Sequence, residues 1–293
     1  MGIADKFKTF CANLAISTDT RSAISTRCKG ITRRLNLDFW NIDSETAFSR
    51  YIGSYGRGTA INGFSDVDLI FVLPDSEYTR FSGYLFNGQS ALLQEVKKSI
   101  AKTYSATSLG ADGIVVKVEF SDNIYFEVAP AFEKSDGSYI HPLTIDGGSW
   151  KRFDPIAEIK AINDKDNELN GNLKRLCKMS RSWARQWTVP IGGLLLDTFA
   201  YNFLSNYGHN TQSYLYYDFF TRDFFDYLAG QNEQQYYWYA PGSNQFVYRK
   251  GSFECKAKRC YNIALEAIEN EEKGYDWSAN QKWREIYGTS FTG

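Results

Sequence analysis

The chain has 293 residues and a formal net charge of −1, from 33 Lys and Arg against 34 Asp and Glu. That balance excludes a protein that coats nucleic acid through a globally basic surface. Hydrophobic content of 43% and aromatic content of 16% exclude disorder and supply core for one large domain or two interlocked lobes.

Residues 3–16 read as an amphipathic helix, and MGIADKFKTFCANLAIS lacks the small-residue cleavage pattern of a signal peptide. No run of about 18 apolar residues reaches bilayer length, so the chain is expected to be cytoplasmic, away from membranes. Five cysteines without a CxxC pair and two isolated histidines, His141 and His209, fit reduced thiols and offer no zinc set. A second helix is expected over residues 19–37, with Ser17, Thr18 and Asp19 as candidate N-caps. SETAFSRYI, after Asp43, reads as a short helix.

It delivers the chain into YIGSYGRGTAINGFSDVDLIFVL, residues 51–73. A strand alternates its side chains, so Asp66 and Asp68 share one face while Val67, Leu69 and Phe71 take the other. Two neighbouring carboxylates repel each other, and a hard divalent cation removes the repulsion. Mg2+ is the usual occupant where the substrate brings phosphate. Gly53-Ser54, just upstream, offers backbone N–H groups and a hydroxyl in a turn that phosphate oxygens can approach. A lone Gly-Ser is usually a turn, and a lone DxD usually a solvated strand end. Their conjunction ahead of an apolar strand is what points to a nucleotide-handling site. Neither GxxxxGK[ST] nor a GxGxxG opening a helix is present.

The motif GSYGRGTAI…SDVDL resembles the nucleotidyltransferase signature of the DNA-polymerase-β superfamily. In detail it is similar to the bacterial cGAS/DncV-like nucleotidyltransferases (CD-NTases) of CBASS antiphage operons. The resemblance implies an enzyme that joins nucleoside triphosphates into cyclic di- or trinucleotide second messengers, without a nucleic-acid template. Animal cGAS also resembles this family but carries a zinc-bound thumb, and the chain has no residues for one.

Further along, residues 90–104 read as an amphipathic helix on Leu92, Leu93, Val96 and Ile100. Strands are expected over 114–120 and 124–129, turned by Ser121-Asp122-Asn123. Glu127 is an acid inside the second, and must be paired, exposed or metal-bound. With Asp66 and Asp68 upstream it is the candidate third metal ligand. The family places an acid, more often Asp, on such a strand ahead of a proline like Pro130. Residues 133–154 are polar and Gly-rich, expected to cross between lobes, and Pro155 opens a helix ending near Glu168. On the helix 172–187, Lys174, Lys178, Arg181 and Arg185 form one stripe, with Leu173, Leu176, Trp183 and Trp187 opposite. Lys178, Arg181 and Trp183 match the family's spacing on the helix that meets the triphosphate, which assigns Lys178 and Arg181 to it. Three more helices are expected at 191–207, 213–228 and 251–273, with a loop at 231–249. SANQKWREIYGTSF resembles the family's W-x-x-I-[FY]-G-x-x-F ending, and the terminal Gly293 invites comparison with members joined to targets.

The expected fold is α+β. A polymerase-β-like nucleotidyltransferase lobe with a mixed sheet (residues 1–150) and a helical C-terminal lobe (151–293) would flank an active site in their cleft. Asp66, Asp68 and Glu127 would hold two Mg2+ ions, for which Mn2+ can substitute. Gly53, Ser54, Lys178 and Arg181 would bind the nucleotide. The chain is expected to be a monomer with a regulatory operon partner. Two other readings compete: transfer of a nucleotide to a small molecule, tRNA or protein, and a catalytically silent regulatory subunit.

Overall fold

The structure, a computed structural model, describes residues 2–63 and 66–293. Ser65, the first residue of SDVDL, lies outside the described residues. By contact the chain divides into two compact units, one of Ser17–Arg57 and Gly63–Ile159, the other of Met1–Ile16, Gly58–Asn62 and Lys160–Gly293. The sequence suggested a single boundary after residue 150, whereas helix α1 (Ile3–Asn13) and residues 58–62 group with the C-terminal part.

In the unit that carries the carboxylates, Ser17 caps α2 (Thr18–Leu35) by accepting from the Thr20 N–H at 3.1 Å. The expected helix at SETAFSRYI is instead a turn and a strand. The Ser44 hydroxyl accepts from the N–H groups of Thr46 and Ala47, which draws the backbone into a local turn and away from helix. Strand β1 (Ser49–Tyr51) follows, then a single helical turn α3 (Gly53–Gly56) and strand β2 (Val67–Val72). Helices α4 (Asp75–Ser82) and α5 (Gly88–Ala101) precede strands β3 (Ser108–Asp112), β4 (Val115–Glu119) and β5 (Tyr125–Glu133).

The strands run in the order β1-β2-β5-β4-β3, with β2 and β5 parallel and the other neighbours on this path antiparallel. One face carries Val67, Leu69, Phe71, Val116, Val118, Phe126 and Val128. It packs with Ile24, Ile31 and Leu35 of α2 and with Leu92, Val96 and Ile100 of α5. Burial of these branched and aromatic side chains fixes the strand register, because a one-residue slip would turn the apolar set to the opposite face. Residues 133–154 are not an irregular crossing. They form the end of β5 and the hairpin of β6 (Tyr139–Leu143) and β7 (Ser149–Phe153). The Gly-rich signal belongs to the two turns, where Gly137, Gly147 and Gly148 have φ of 82°, 83° and 92°.

The second unit is helical. Pro155 begins α6 (Pro155–Glu168), as the sequence indicates; the helix belongs to this unit from Lys160 on, and α7 (Asn172–Gln186) follows. Beyond them lie α8 (Gly193–Ser205), α9 (Tyr217–Ala229), α10 (Glu254–Glu272) and α11 (Asp276–Tyr287). The expected loop at 231–249 contains the hairpin of β8 (Tyr237–Tyr239) and β9 (Phe246–Tyr248). Phe7 and Phe10 of α1 pack edge-on or tilted against Trp283, Tyr287 and Phe291, so the aromatic richness is mostly core. Among the described residues no helix is long and apolar enough to cross a membrane.

Candidate active site

The face of the sheet opposite that apolar core is polar where β2 and β5 meet. Their parallel pairing sets Asp68 directly beside Glu127, so the two side chains share a face. Asp66, two residues before Asp68, completes the group: one ligand oxygen from each of Asp66, Asp68 and Glu127 lies within 4.8 Å of the others. All three are half-buried. The structure thus brings together the three candidate metal ligands from two segments nearly 60 residues apart in sequence.

Their electrostatics follow from crowding. Burial, reinforced by Asp66 and Glu127, pushes the Asp68 carboxyl up to about 7, against an opposing pull from Arg57. Glu127 is also raised, by burial and then by Asp66, while Lys117 draws it down. Without a cation the cluster therefore retains a proton well above the usual carboxylate range. A compact all-oxygen donor set short of positive charge fits a hard divalent ion.

The Gly-Ser turn joins this group directly. Gly53 has φ of 59°, and a Cβ built on it would fall 1.7 Å from the Asp68 Oδ2. Only glycine lets the carboxylate lie against the backbone here, and the Ile52 N–H donates to the Asp68 carbonyl at 2.9 Å. Ser54 follows within the same helical turn. Arg57, which the sequence reading did not single out, is buried and paired with Glu158 at 3.2 Å. Its charge is felt by Asp68.

Lys178 and Arg181 belong to the helical unit. Lys178 is half-buried on α7. Arg181 forms a buried ion pair: it donates to both carboxylate oxygens of Asp197, Nη2 at 2.9 Å, and Nη2 also reaches the Gly193 carbonyl at 3.0 Å. Asp197 is fully buried and also accepts from the Thr59 hydroxyl at 2.9 Å. The other two stripe residues likewise reach this segment. Lys174 pairs with Asp166 at 3.6 Å and lies beside Gly58, and Arg185 donates to the Asn62 carbonyl at 3.0 Å. The stripe is therefore not a simple solvated face: three of its four cations are tied to Gly58–Asn62 or to a residue that holds it. Asp197 was missed by the sequence reading, although LLLDTF carries the signal that flagged Glu127, an acid inside an apolar run.

Residues 1–166 match the family model described as Second Messenger Oligonucleotide or Dinucleotide Synthetase domain. A probable cyclic nucleotide synthase of Bacillus cereus is 23% identical over 273 aligned residues, covering 82% of this chain and 80% of that protein. Among solved structures, Escherichia coli CdnC in complex with HORMA-deltaN superposes with a TM-score of 0.70 at 14% identity, covering 99% of this chain and 98% of that one. The Bradyrhizobium diazoefficiens CD-NTase CdnG in complex with GTP gives 0.69 at 9% identity, covering 98% and 95%. Both are similar to this chain in fold along nearly its whole length.

Proposed function

Because the chain belongs to the second messenger oligonucleotide or dinucleotide synthetases, the cGAS/DncV-like nucleotidyltransferases, we propose that it joins nucleoside triphosphates, without a template, into a cyclic di- or trinucleotide for antiphage (CBASS) signalling. The observation that carries this reading is the acidic triad, with its three ligand oxygens within 4.8 Å of one another and Gly53 set against Asp68.

Asp66, Asp68 and Glu127 would hold two Mg2+ ions, for which Mn2+ can substitute. Bound there, such ions ease loss of the proton from the attacking hydroxyl and neutralise charge on the leaving pyrophosphate. In each transfer a 3′- or 2′-hydroxyl oxygen forms a bond to an α-phosphorus. The bond from that phosphorus to its bridging oxygen breaks, pyrophosphate leaves, and the hydroxyl proton passes to solvent. In the last transfer the hydroxyl belongs to the growing product itself, which closes the ring. Gly53 and Ser54 would receive phosphate oxygens on backbone N–H and hydroxyl. Lys178 and Arg181 remain the candidates for the triphosphate. Arg181 also directs its terminal N–H groups to Asp197 and Gly193, contacts that would keep that face of α7 in place. The enzyme would act as a cytoplasmic monomer. CdnC is seen with a HORMA partner, and a regulatory protein encoded alongside is part of this proposal.

Incubation with all four nucleoside triphosphates and Mg2+ tests it. A product that resists alkaline phosphatase, with one pyrophosphate released per nucleotide incorporated, is expected. A phosphatase-sensitive linear end product, with one pyrophosphate fewer, would refute ring closure. No product from triphosphates alone would point to a separate acceptor.

A further inference from the structure

The polar face of the sheet does not stop at the triad. Antiparallel pairing of β4 with β5 sets Lys117 opposite Glu127 and Glu119 opposite Tyr125, and pairing of β3 with β4 sets Gly110 opposite Lys117 and Ser108 opposite Glu119. Directly opposed residues share a face. One row therefore reads Asp68, Glu127, Lys117, Gly110 across four strands, and the next reads Tyr125, Glu119, Ser108. Above these rows lies a cavity of about 370 Å³, lined by Asp66, Lys117, Glu119, Tyr125, Phe126 and Glu127. Two of the six are members of the acidic triad, so whatever occupies the cavity touches the site of the chemistry.

The floor has uncommon chemistry for an outer sheet face. Lys117 is held by Asp112 at 2.7 Å, yet that pair is solvent-exposed, so the ammonium is available for exchange at little cost. Gly110 beside it presents no side chain, and Glu119 is exposed. Tyr125 is half-buried, with its hydroxyl donating to Asn123 Oδ1 at 3.2 Å, which leaves the ring as an edge or wall of the cavity. The cavity sits at the small end of the ~300–1,000 Å³ range of ligand pockets, room for one nucleoside and not for a chain of them.

We propose that this cavity seats the base of a substrate nucleotide, and that Glu119 and Lys117 set which base it accepts. The assignment rests on the nucleotidyltransferase reading for its position beside the triad. An ionised carboxylate only accepts hydrogen bonds and an ammonium only donates them. Two residues apart on one strand face, Glu119 and Lys117 ask for a base edge with N–H donors beside a carbonyl acceptor. Guanine, with N1–H, N2–H₂ and O6, offers both. Tyr125 supports the ring plane or the ribose.

The four nucleoside 5′-monophosphates are the probes, titrated calorimetrically in Mg2+ buffer. They lack a pyrophosphate leaving group and cannot react. GMP should bind more tightly than AMP, CMP or UMP. In Glu119→Gln that preference should fall by about tenfold or more, the scale of losing a hydrogen bond to a charged group. Lys117→Met should weaken GMP while leaving CMP nearly unchanged. Both positions are at the surface, so neither variant threatens the fold. Equal affinity for the four monophosphates, or a GMP preference that survives Glu119→Gln, would overturn the assignment. The outcome separates from that of the parent reading. A protein that shows Glu119-dependent GMP binding but makes no oligonucleotide from triphosphates would keep the cavity and lose the activity.

Discussion

Asp68 and Gly53 are matched at the level of single atoms. An alanine at position 53 would meet the carboxylate at 1.7 Å and also adopt a φ near 59°, so either the turn or the carboxylate must move. Gly53→Ala is expected to lower kcat by about 100-fold or more, since displacing a reacting group by ~1 Å costs on that order. Steady-state kinetics at saturating triphosphate and Mg2+ will show it; a variant within threefold of wild type would disprove the packing argument. The raised Asp68 carboxyl has its own consequence. Its ordinary value is 3.8 and its folded value about 7, so the fold favours the protonated form. The metal-free chain should then gain stability as pH falls from above 7 toward 4, and the gain should be lost again as pH rises through 7. Asp68→Asn removes that dependence, so in EDTA it should melt higher than wild type at pH 8, with the difference gone near pH 4. Melting curves across that range decide it, and a wild-type Tm at least as high as that of the variant at pH 8 would refute it. Added Mg2+ should reverse the trend by holding the ionised form. The residues behind these effects were legible to different degrees. Asp66, Asp68 and Glu127 stand out because carboxylates are conspicuous in strands. Their proximity to Gly53 was legible as a motif but not as a contact, because only a folded backbone sets a carboxylate against a glycine. Lys117 and Glu119 gave no such signal, since alternating charges on a strand look like ordinary solvent-facing residues until the pairing register is known.

Among the elements, helix α7 is where periodicity was right and its interpretation incomplete. The spacing of Lys174, Lys178, Arg181 and Arg185 locates the stripe, but what the stripe faces depends on tertiary partners that sequence does not order. Asp197 holds Arg181 and Thr59 together with no exposure to solvent. Asp197→Ala would leave the Arg181 charge buried and unpaired, and should cost about 3–5 kcal/mol in denaturant unfolding. Lys178→Ala should leave the unfolding midpoint nearly unchanged and raise the KM for triphosphate, the loss of a charge-assisted contact worth about 1.5–3 kcal/mol. The opposite pattern, with a silent Asp197→Ala and an unstable Lys178→Ala, would exchange the two roles. The missed strands share one cause. Strands β1 and β3 and those of the hairpins β6–β7 and β8–β9 are three to five residues long, too short for periodicity to register. They exist because a neighbouring strand satisfies their backbone groups.

For the molecule as a whole, the compact units are discontinuous in sequence. The chain leaves the carboxylate-bearing unit after Arg57 and re-enters it at Gly63, between the Gly-Ser turn and Asp66. A fragment of residues 1–150 therefore carries α1 without its partners and exposes Phe7 and Phe10, both fully buried in the intact chain. Expressed side by side, that fragment should aggregate more than residues 17–159, which omit α1 and retain the whole of β6 and β7. Comparable solubility would mean that α1 does not depend on the C-terminal helices. The pairing of the first helix with the last has a further consequence in time. At roughly 5–20 residues per second, α1 leaves the ribosome well before Trp283, Tyr287 and Phe291 are made, a wait of about a quarter of a minute to a minute. Through that interval its aromatic face has only the earlier-made part of this core to meet, such as Tyr217, and the remainder stays open to water, a chaperone or another nascent chain. The step that completes this core therefore waits for α11, and a stop anywhere before it leaves Phe7 and Phe10 without Trp283, Tyr287 and Phe291.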